Sequence, residues 1–186
     1  MRQADDISIL LERLARVLQN DAHAEGLKPT QWEALRFVGR ANRFSRTPSG
    51  LTTYLGTTKG TVSQTLNALE RKGLIRKKGD PGDRRQVRIE LTAKGRRLLE
   101  RDPVDAALQS ASDLPEQQKA GLERGLAMLL KDTLKHRGGR PFGVCHTCRF
   151  FEANHRDGAP HRCALLDATL TDEDSKQICV EQEATG

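Results

Sequence analysis

Residues 56 to 92 leave a chain few ways to fold, because a helical period, a turn and a strand period follow one another without a break. Val62, Leu66 and Leu69 recur at helical spacing and form one apolar stripe, while Gly60, Ser63, Gln64, Asn67 and Arg71 fall on the opposite side. Gly73 stops that helix. Further on, Val87, Ile89 and Leu91 alternate with Arg88 and Glu90, the pattern of a strand with one buried and one wet face. Gly79, Pro81 and Gly82 turn the chain between two strands, and Asp83, Arg84 and Arg85 sit at or near the tip. A short two-faced helix followed by an arginine-tipped hairpin is the build of a winged helix-turn-helix, with the helix sized for a major groove. Its polar stripe combines small residues, which allow close approach, with amides able to bond two atoms of a base edge.

The flanking segments are helical. Ile7, Leu10, Leu11, Leu14, Val17 and Leu18 stripe a first helix over about residues 4 to 24, with Gly26 as its stop. Thr30 and Glu33 have the spacing of a capping box for a second helix that buries Trp32, Leu35 and Val38. Arg40 to Thr47 reads as a polar loop, and Pro48 as the first turn of a short third helix ending near Gly56, packed through Leu51, Tyr54 and Leu55. Thr92 caps a helix carrying Leu98 and Leu99, which Pro103 kinks or interrupts. Ser112 or Asp113, followed by Pro115 and Glu116, opens a last long helix with Leu122, Leu126, Leu129, Leu130 and Leu134 on one side. That stripe is too wide for a lone surface helix packing on one neighbour, which makes an intramolecular core alone the lesser reading.

The expected fold is therefore mainly α with a small β-hairpin wing. With 186 residues there is room for one domain and an appendage, here residues 1–137 and 138–186, joined by the glycine-rich HRGGRPFG at 136–143. Aromatic residues are only 4%, so the core must come mainly from leucine and alanine, which suits helices. Charge is divided: residues 141–186 hold four of the 31 Lys+Arg and eight of the 25 Asp+Glu, leaving 27 against 17 in the body. A basic body with an acidic tail suits a polyanion partner for the body. The start, MRQADDISIL, has no continuous apolar segment of a secretory leader, and no run approaches membrane-spanning length, so a cytoplasmic location is expected. In that compartment cysteines are poor candidates for structural disulfides.

The run LERKGLIRKKGDPGDRRQVRIELTAKG resembles the MarR family of bacterial transcription regulators, through Leu69-Glu70, Gly73-Leu74, Asp83, Arg85, Leu91-Thr92 and Gly95. The resemblance spans roughly residues 5 to 135 and implies a homodimer on a pseudo-palindromic operator, its recognition helices in successive major grooves and its first and last helices interlocked. It further implies that Lys59, Gly60, Thr61, Ser63, Gln64 and Asn67 face the major groove. Lys59 and the first-turn amides would hold phosphate, and Gln64 and Asn67 would read bases. Arg84 and Arg85 would reach the minor groove or its phosphates, with Asp83 bracing the wing. Relatives that bind small aromatic ligands leave room for a small-molecule effector.

All four cysteines, Cys145, Cys148, Cys163 and Cys179, lie in the last 42 residues, spaced C-x2-C, then 14 residues, C, then 15 residues, C. Such clustering beyond a linker marks a ligand set. Four thiolates suit either an iron–sulfur cluster or Zn²⁺. Zinc ribbons usually pair two CxxC knuckles and only one is present; the segment CHTCRFFEANHRDGAPHRCALL with ICVEQ is similar to high-potential iron–sulfur proteins and their small relatives. A [4Fe–4S] cluster shielded by Phe150 and Phe151 is the preferred reading and structural zinc the alternative. His146, His155 and His161 could each replace one cysteine, but with four thiols present they read better as neighbours than as ligands. The combined expectation is a regulator, a repressor by preference, whose DNA affinity follows the state of the metal module through the dimer helices. The rival is an electron-transfer lobe on a helical docking body. No nucleophile–base pair, buried carboxylate pair or phosphate-cradling glycine loop supports an enzyme.

Overall fold

The computed structural model describes residues 6–21, 23–79, 87–140, 142–155 and 160–184. The body comprises α1 (Asp6–Asp21), α2 (Pro29–Arg40), α3 (Pro48–Leu55), α4 (Lys59–Arg71), the antiparallel strands β1 (Ile75–Gly79) and β2 (Val87–Leu91), α5 (Ala93–Leu99), α6 (Pro103–Ala107), α7 (Gln109–Ser112) and α8 (Glu116–His136). The tail adds β3 (Gly143–Val144), a 3-10 turn (Cys145–Thr147), β4 (Phe151–Ala153), β5 (His161–Cys163), β6 (Ala168–Leu170), α9 (Asp172–Ser175) and β7 (Ile178–Cys179).

One core holds α2, α3, α4 and the hairpin together. Trp32, Leu35, Phe37 and Val38 of α2, Leu51 of α3, Val62, Leu66 and Leu69 of α4, and Ile75 and Ile89 of the hairpin are all at most 2% exposed. Each such side chain contributes about 1.5–3 kcal/mol by leaving water, so α4 cannot roll its polar face inward without losing several of them. Trp32 also satisfies its indole N–H, which donates to the Ala24 carbonyl at 3.2 Å. Threonines open three of the body's helices: Thr47, Thr58 and Thr92 accept from the amides of Gly50, Thr61 and Gly95 at 3.0, 3.2 and 3.1 Å. The Leu-Thr-x-x-Gly pattern has a further cause, because the Thr92 hydroxyl donates to the Gly73 carbonyl at 2.7 Å and a Cβ on Gly95 would lie 2.1 Å from the Leu74 carbonyl oxygen. Only glycine lets α5 sit that close to the end of β1.

Two caps differ from expectation. The second helix begins at Pro29, and it is the Gln31 side chain that accepts from the Lys28 amide at 3.2 Å; Thr30 and Glu33 already lie inside the helix. Proline's fixed φ favours the first helical position and moves the start one residue upstream of the expected cap. The last helix likewise takes Pro115 as its N-terminal flank with no side-chain cap, Ser112 and Asp113 belonging to the end of α7. The first helix runs Asp6–Asp21 and has ended before Gly26.

α1 and α8 bury no residue in the single protomer. Ile7, Leu10, Leu14 and Val17 on one, and Leu122, Leu126, Leu129 and Leu130 on the other, are 43–66% exposed. The bland alternative for this stripe, an intramolecular core, does not match these exposures.

The linker is anchored. Phe142 stacks on Tyr54 with ring centroids 4.5 Å apart, and Tyr54 on Phe37 at 4.8 Å. From there β3 pairs antiparallel with β7, and β4, β5 and β6 form a three-stranded sheet in that order. The lobe then docks on the loop between α2 and α3: Ala41 bridges Ile178 in parallel, the Asn42 amide donates to the Ile178 carbonyl at 2.9 Å, and Val180 enters the main core. The stretch read as a polar loop is thus covered in part, with Ala41, Asn42 and Ser45 no more than 2% exposed.

Candidate nucleic-acid interface and cysteine cleft

The outward face of α4 carries the expected set. Lys59, Gly60, Thr61, Ser63, Gln64, Asn67 and Arg71 are exposed, alternating with buried Val62, Leu66 and Leu69. Thr58 folds over the start of the helix beside Lys59, its hydroxyl 3.0 Å from that of Thr61 and accepting from the Thr61 amide. Such a terminus attracts anions through its unpaired N–H groups and the helix dipole. A 13-residue helix is about 20 Å long and about 10–12 Å across, a fit to a major groove about 12 Å wide.

The hairpin is tied to this helix by a residue that sequence reasoning missed. The Lys77 ammonium reaches both the Asn67 carbonyl oxygen and the Glu70 carboxylate, the latter at 3.0 Å, and the Lys77 amide donates to Glu70 at 3.1 Å. Hydrogen bonding to Lys77 holds the Glu70 carboxyl below the ordinary range. Glu70 and Lys77 are seven apart across a turn, a separation with no sequence signature. Asn67 therefore offers its amine outward while its carbonyl is engaged, whereas among the described residues nothing bonds to the Gln64 amide. Arg76 and Glu90, cross-strand partners, form an ion pair lower on the ladder. Asp83, Arg84 and Arg85 lie outside the described residues.

In the tail, all four cysteines line one cleft, together with Phe150, Phe151, Leu165, Leu166 and Glu181. The 3-10 turn makes the CxxC knuckle, the Cys148 amide donating to the Cys145 carbonyl at 3.0 Å. Cys163 ends β5 opposite Phe151, and Cys179 ends β7 opposite Gly143. The four are free thiols. Burial first and the neighbouring thiols second push Cys145 up to about 12. Phe44 from the body packs on the same small core as Phe151. Among the described residues, no three His, Cys, Asp or Glu side chains stand close-set around a single ion position. The histidines have other partners: His146 Nδ1 lies 3.0 Å from the Ser175 carbonyl, His161 Nε2 3.0 Å from Asp172, and His155 Nδ1 3.2 Å from Glu152.

A second set unseen in the sequence joins lobe to body. Arg43 pairs with the buried Asp174 and donates to the Thr169 carbonyl, while its guanidinium lies 4.6 Å from the Phe44 ring centroid. Asp174 meanwhile accepts from the Thr171 amide at 3.0 Å, closing the capping box of α9. The Arg46 guanidinium reaches Gln177 at 3.3 Å, and the Ser45 hydroxyl accepts from the Val180 amide at 3.1 Å.

Comparison with known proteins places this geometry. Residues 25–86 match the model of the MarR family. CouR from Rhodococcus jostii RHA1, solved with p-coumaroyl-CoA, is similar at 26% identity over 68% of this chain and 94% of that one, with a TM-score of 0.56. The S. aureus MepR–DNA complex aligns at 25% identity over 69% and 99% of the two chains, TM-score 0.56. Streptococcus pneumoniae FabT in complex with DNA aligns at 29% identity over 69% and 92%, TM-score 0.52. No curated protein sequence matches the chain. The three structures are spanned almost fully, while about a third of the present chain lies outside each match.

Proposed function

We infer that this chain, a MarR-type winged helix-turn-helix regulator and not an enzyme, binds double-stranded DNA as a homodimer and carries in its tail a module that adjusts that binding. The observation that carries the DNA reading is the sidedness of α4: leucines and valine inward, Lys59, Ser63, Gln64 and Asn67 outward. MepR and FabT, similar over most of their length, were solved with DNA. The exposed stripes of α1 and α8 support the homodimer, since apolar surface of that extent is normally covered. A two-fold dimer calls for a pseudo-palindromic operator with half-sites one helical turn apart. No described helix is long and apolar enough to cross a membrane. A small-molecule effector is supported by CouR, which was solved with p-coumaroyl-CoA.

In this reading Lys59 and the first-turn amides hold phosphate, Gln64 reads a base edge, and Asn67 contributes its amine. Asp83, Arg84 and Arg85 are assigned to the wing tip on sequence alone. Lys59→Ala is expected to weaken binding to all operators and to lower the salt slope by about 0.9 per protomer, about 1.8 for the dimer. Gln64→Ala is expected to cost about 1–3 kcal/mol of discrimination at one base pair. Gel-shift titrations over operator variants and salt measure both; unchanged slope and unchanged preference would remove α4 from the interface.

For the tail, the proposal is that Cys145, Cys148, Cys163 and Cys179 ligate a [4Fe–4S] cluster. The donor set fits: four thiols converge on one cleft walled by Phe150, Phe151, Leu165 and Leu166, with Phe44 added by the body. When bound, such a group supplies sensitivity to redox state, iron supply or small gases. The chain's residues hold the thiols together, exclude water with the phenylalanines and keep the three histidines on other partners. The alternative is Zn²⁺, for which the same four thiols would have to draw in around one ion position, as a staple for a lobe with little core of its own. Protein purified without oxygen should be brown and contain iron and inorganic sulfide in equal amounts. A colourless, zinc-containing protein would replace the cluster by the staple.

A further inference from the structure

We propose that the cysteine lobe acts on the DNA-reading unit of its own protomer, through the loop between α2 and α3, with Cys179 as the ligand at the joint and Arg43 as the positioning residue. The inference rests on the reading of the lobe as a metal module and names the route by which that module is felt. Sequence order points elsewhere, since the tail follows α8 directly and would be expected to act on the dimer helices.

The contacts trace the route. Cys179 lies between Ile178 and Val180, whose backbone groups are bonded to Asn42 and Ser45 at 2.9 and 3.1 Å. Asn42 and Ser45 are themselves 1% and 2% exposed, so both of these bonds lie inside the protein. Asn42 also shapes the loop, its carbonyl accepting from the Phe44 and Ser45 amides at 3.1 and 2.9 Å. A displacement of Cys179 is therefore a displacement of this loop.

The loop in turn grips both DNA-facing elements. The Arg46 carbonyl accepts from the Ile89 amide of β2 at 2.7 Å, which joins it to the wing. A Cβ at Gly50 would lie 2.2 Å from the Ser45 carbonyl oxygen, so the loop is seated on the first turn of α3, the helix that supports α4. Interiors packed this tightly transmit strain and do not absorb it. Arg43 fixes the lobe in register from the other side, binding Asp174 and the Thr169 carbonyl while stacking on Phe44, which belongs to the cleft core.

The experiment uses the full-length dimer, isolated without oxygen, in its loaded form and after stripping by a chelator, with metal per chain measured first. Hydrogen exchange should rise on stripping in peptides covering residues 41–47 and 87–91 more than in those covering α1 and α8. Arg43→Gln should keep its metal but bring the loaded-to-stripped ratio of DNA affinity toward one, against about 5–150-fold for a coupling of ordinary size. Exchange changes confined to α1 and α8, or an intact ratio in Arg43→Gln, would overturn the route while leaving the metal reading in place. If Arg43→Gln loses its metal, Ser45→Ala, which deletes the acceptor for the Val180 amide, is judged by the same two measures. A wild-type chain that never holds metal overturns the metal reading and this inference together.

Discussion

Replacing Asp102 by alanine should remove more stability than any surface change, because this one carboxylate fixes how the arm that leads to α8 leaves the winged helix. Asp102 follows α5 and is 4% exposed; it takes the Nε and Nη2 groups of Arg36 at 2.5 and 2.7 Å and the Val104 amide at 3.0 Å. The two-pronged pairing is the strongest form of such contact. In the variant, the Arg36 side chain, 13% exposed, is left without its partner. Breaking a buried pair from one side costs about 3–5 kcal/mol. At about 2–4 °C per kcal/mol for a chain of this size, the melting temperature should fall by roughly 6–20 °C at fixed protein concentration. Burial raises the Asp102 pKa, but the bonds from Arg36 and the Val104 amide outweigh it and hold the carboxyl below its ordinary value. A group depressed in the folded state contributes in full above its unfolded pKa, about 3.9, and loses that contribution as pH falls through the folded value. The gap between wild type and variant should hence be flat around neutrality and close only in acid below about pH 4. Thermal unfolding followed by circular dichroism across that range measures it. A loss under about 1 kcal/mol, or a gap unchanged in strong acid, would show that water already reaches the pair.

Gly95→Ala should cost about 1–3 kcal/mol, since the added carbon meets the Leu74 carbonyl oxygen and one of the two elements must retreat; the urea midpoint should drop at unchanged slope. Leu126→Glu combined with Leu130→Glu should yield monomers in sedimentation at micromolar protein and abolish operator binding. A dimer that survives both charges would move the seam off α8.

Legibility in the sequence followed contact range. The α4 stripe, the hairpin and the Thr92 cap were readable because period and capping are local, and Val62, Leu66, Leu69 and Ile89 are buried as their spacing requires. The Thr30–Glu33 box failed for an equally local reason, Pro29 competing for the first helical position. The convergence of the four cysteines was readable from their clustering beyond the linker, and they do share one cleft. What no pattern revealed were pairs made by tertiary approach: Lys77 with Asn67, Arg36 with Asp102, and Arg43 with Asp174, 131 residues apart. A buried loop reads like an exposed one when its cover arrives from the far end of the chain, and the stretch around Asn42 is that case.

The bond between Lys77 and Asn67 has a bearing on how a site is chosen. Under the proposed reading, a base that needs only a donor would find the Asn67 NH2 group ready, whereas one that also needs the carbonyl would have to share it with the Lys77 ammonium or displace that group. A lysine released from Asn67 keeps the Glu70 carboxylate, 3.0 Å away, as its partner. Selectivity at that position would then turn on whether the cation stays on Asn67 or falls back to Glu70 alone, and a neutral side chain at 77 would remove that choice.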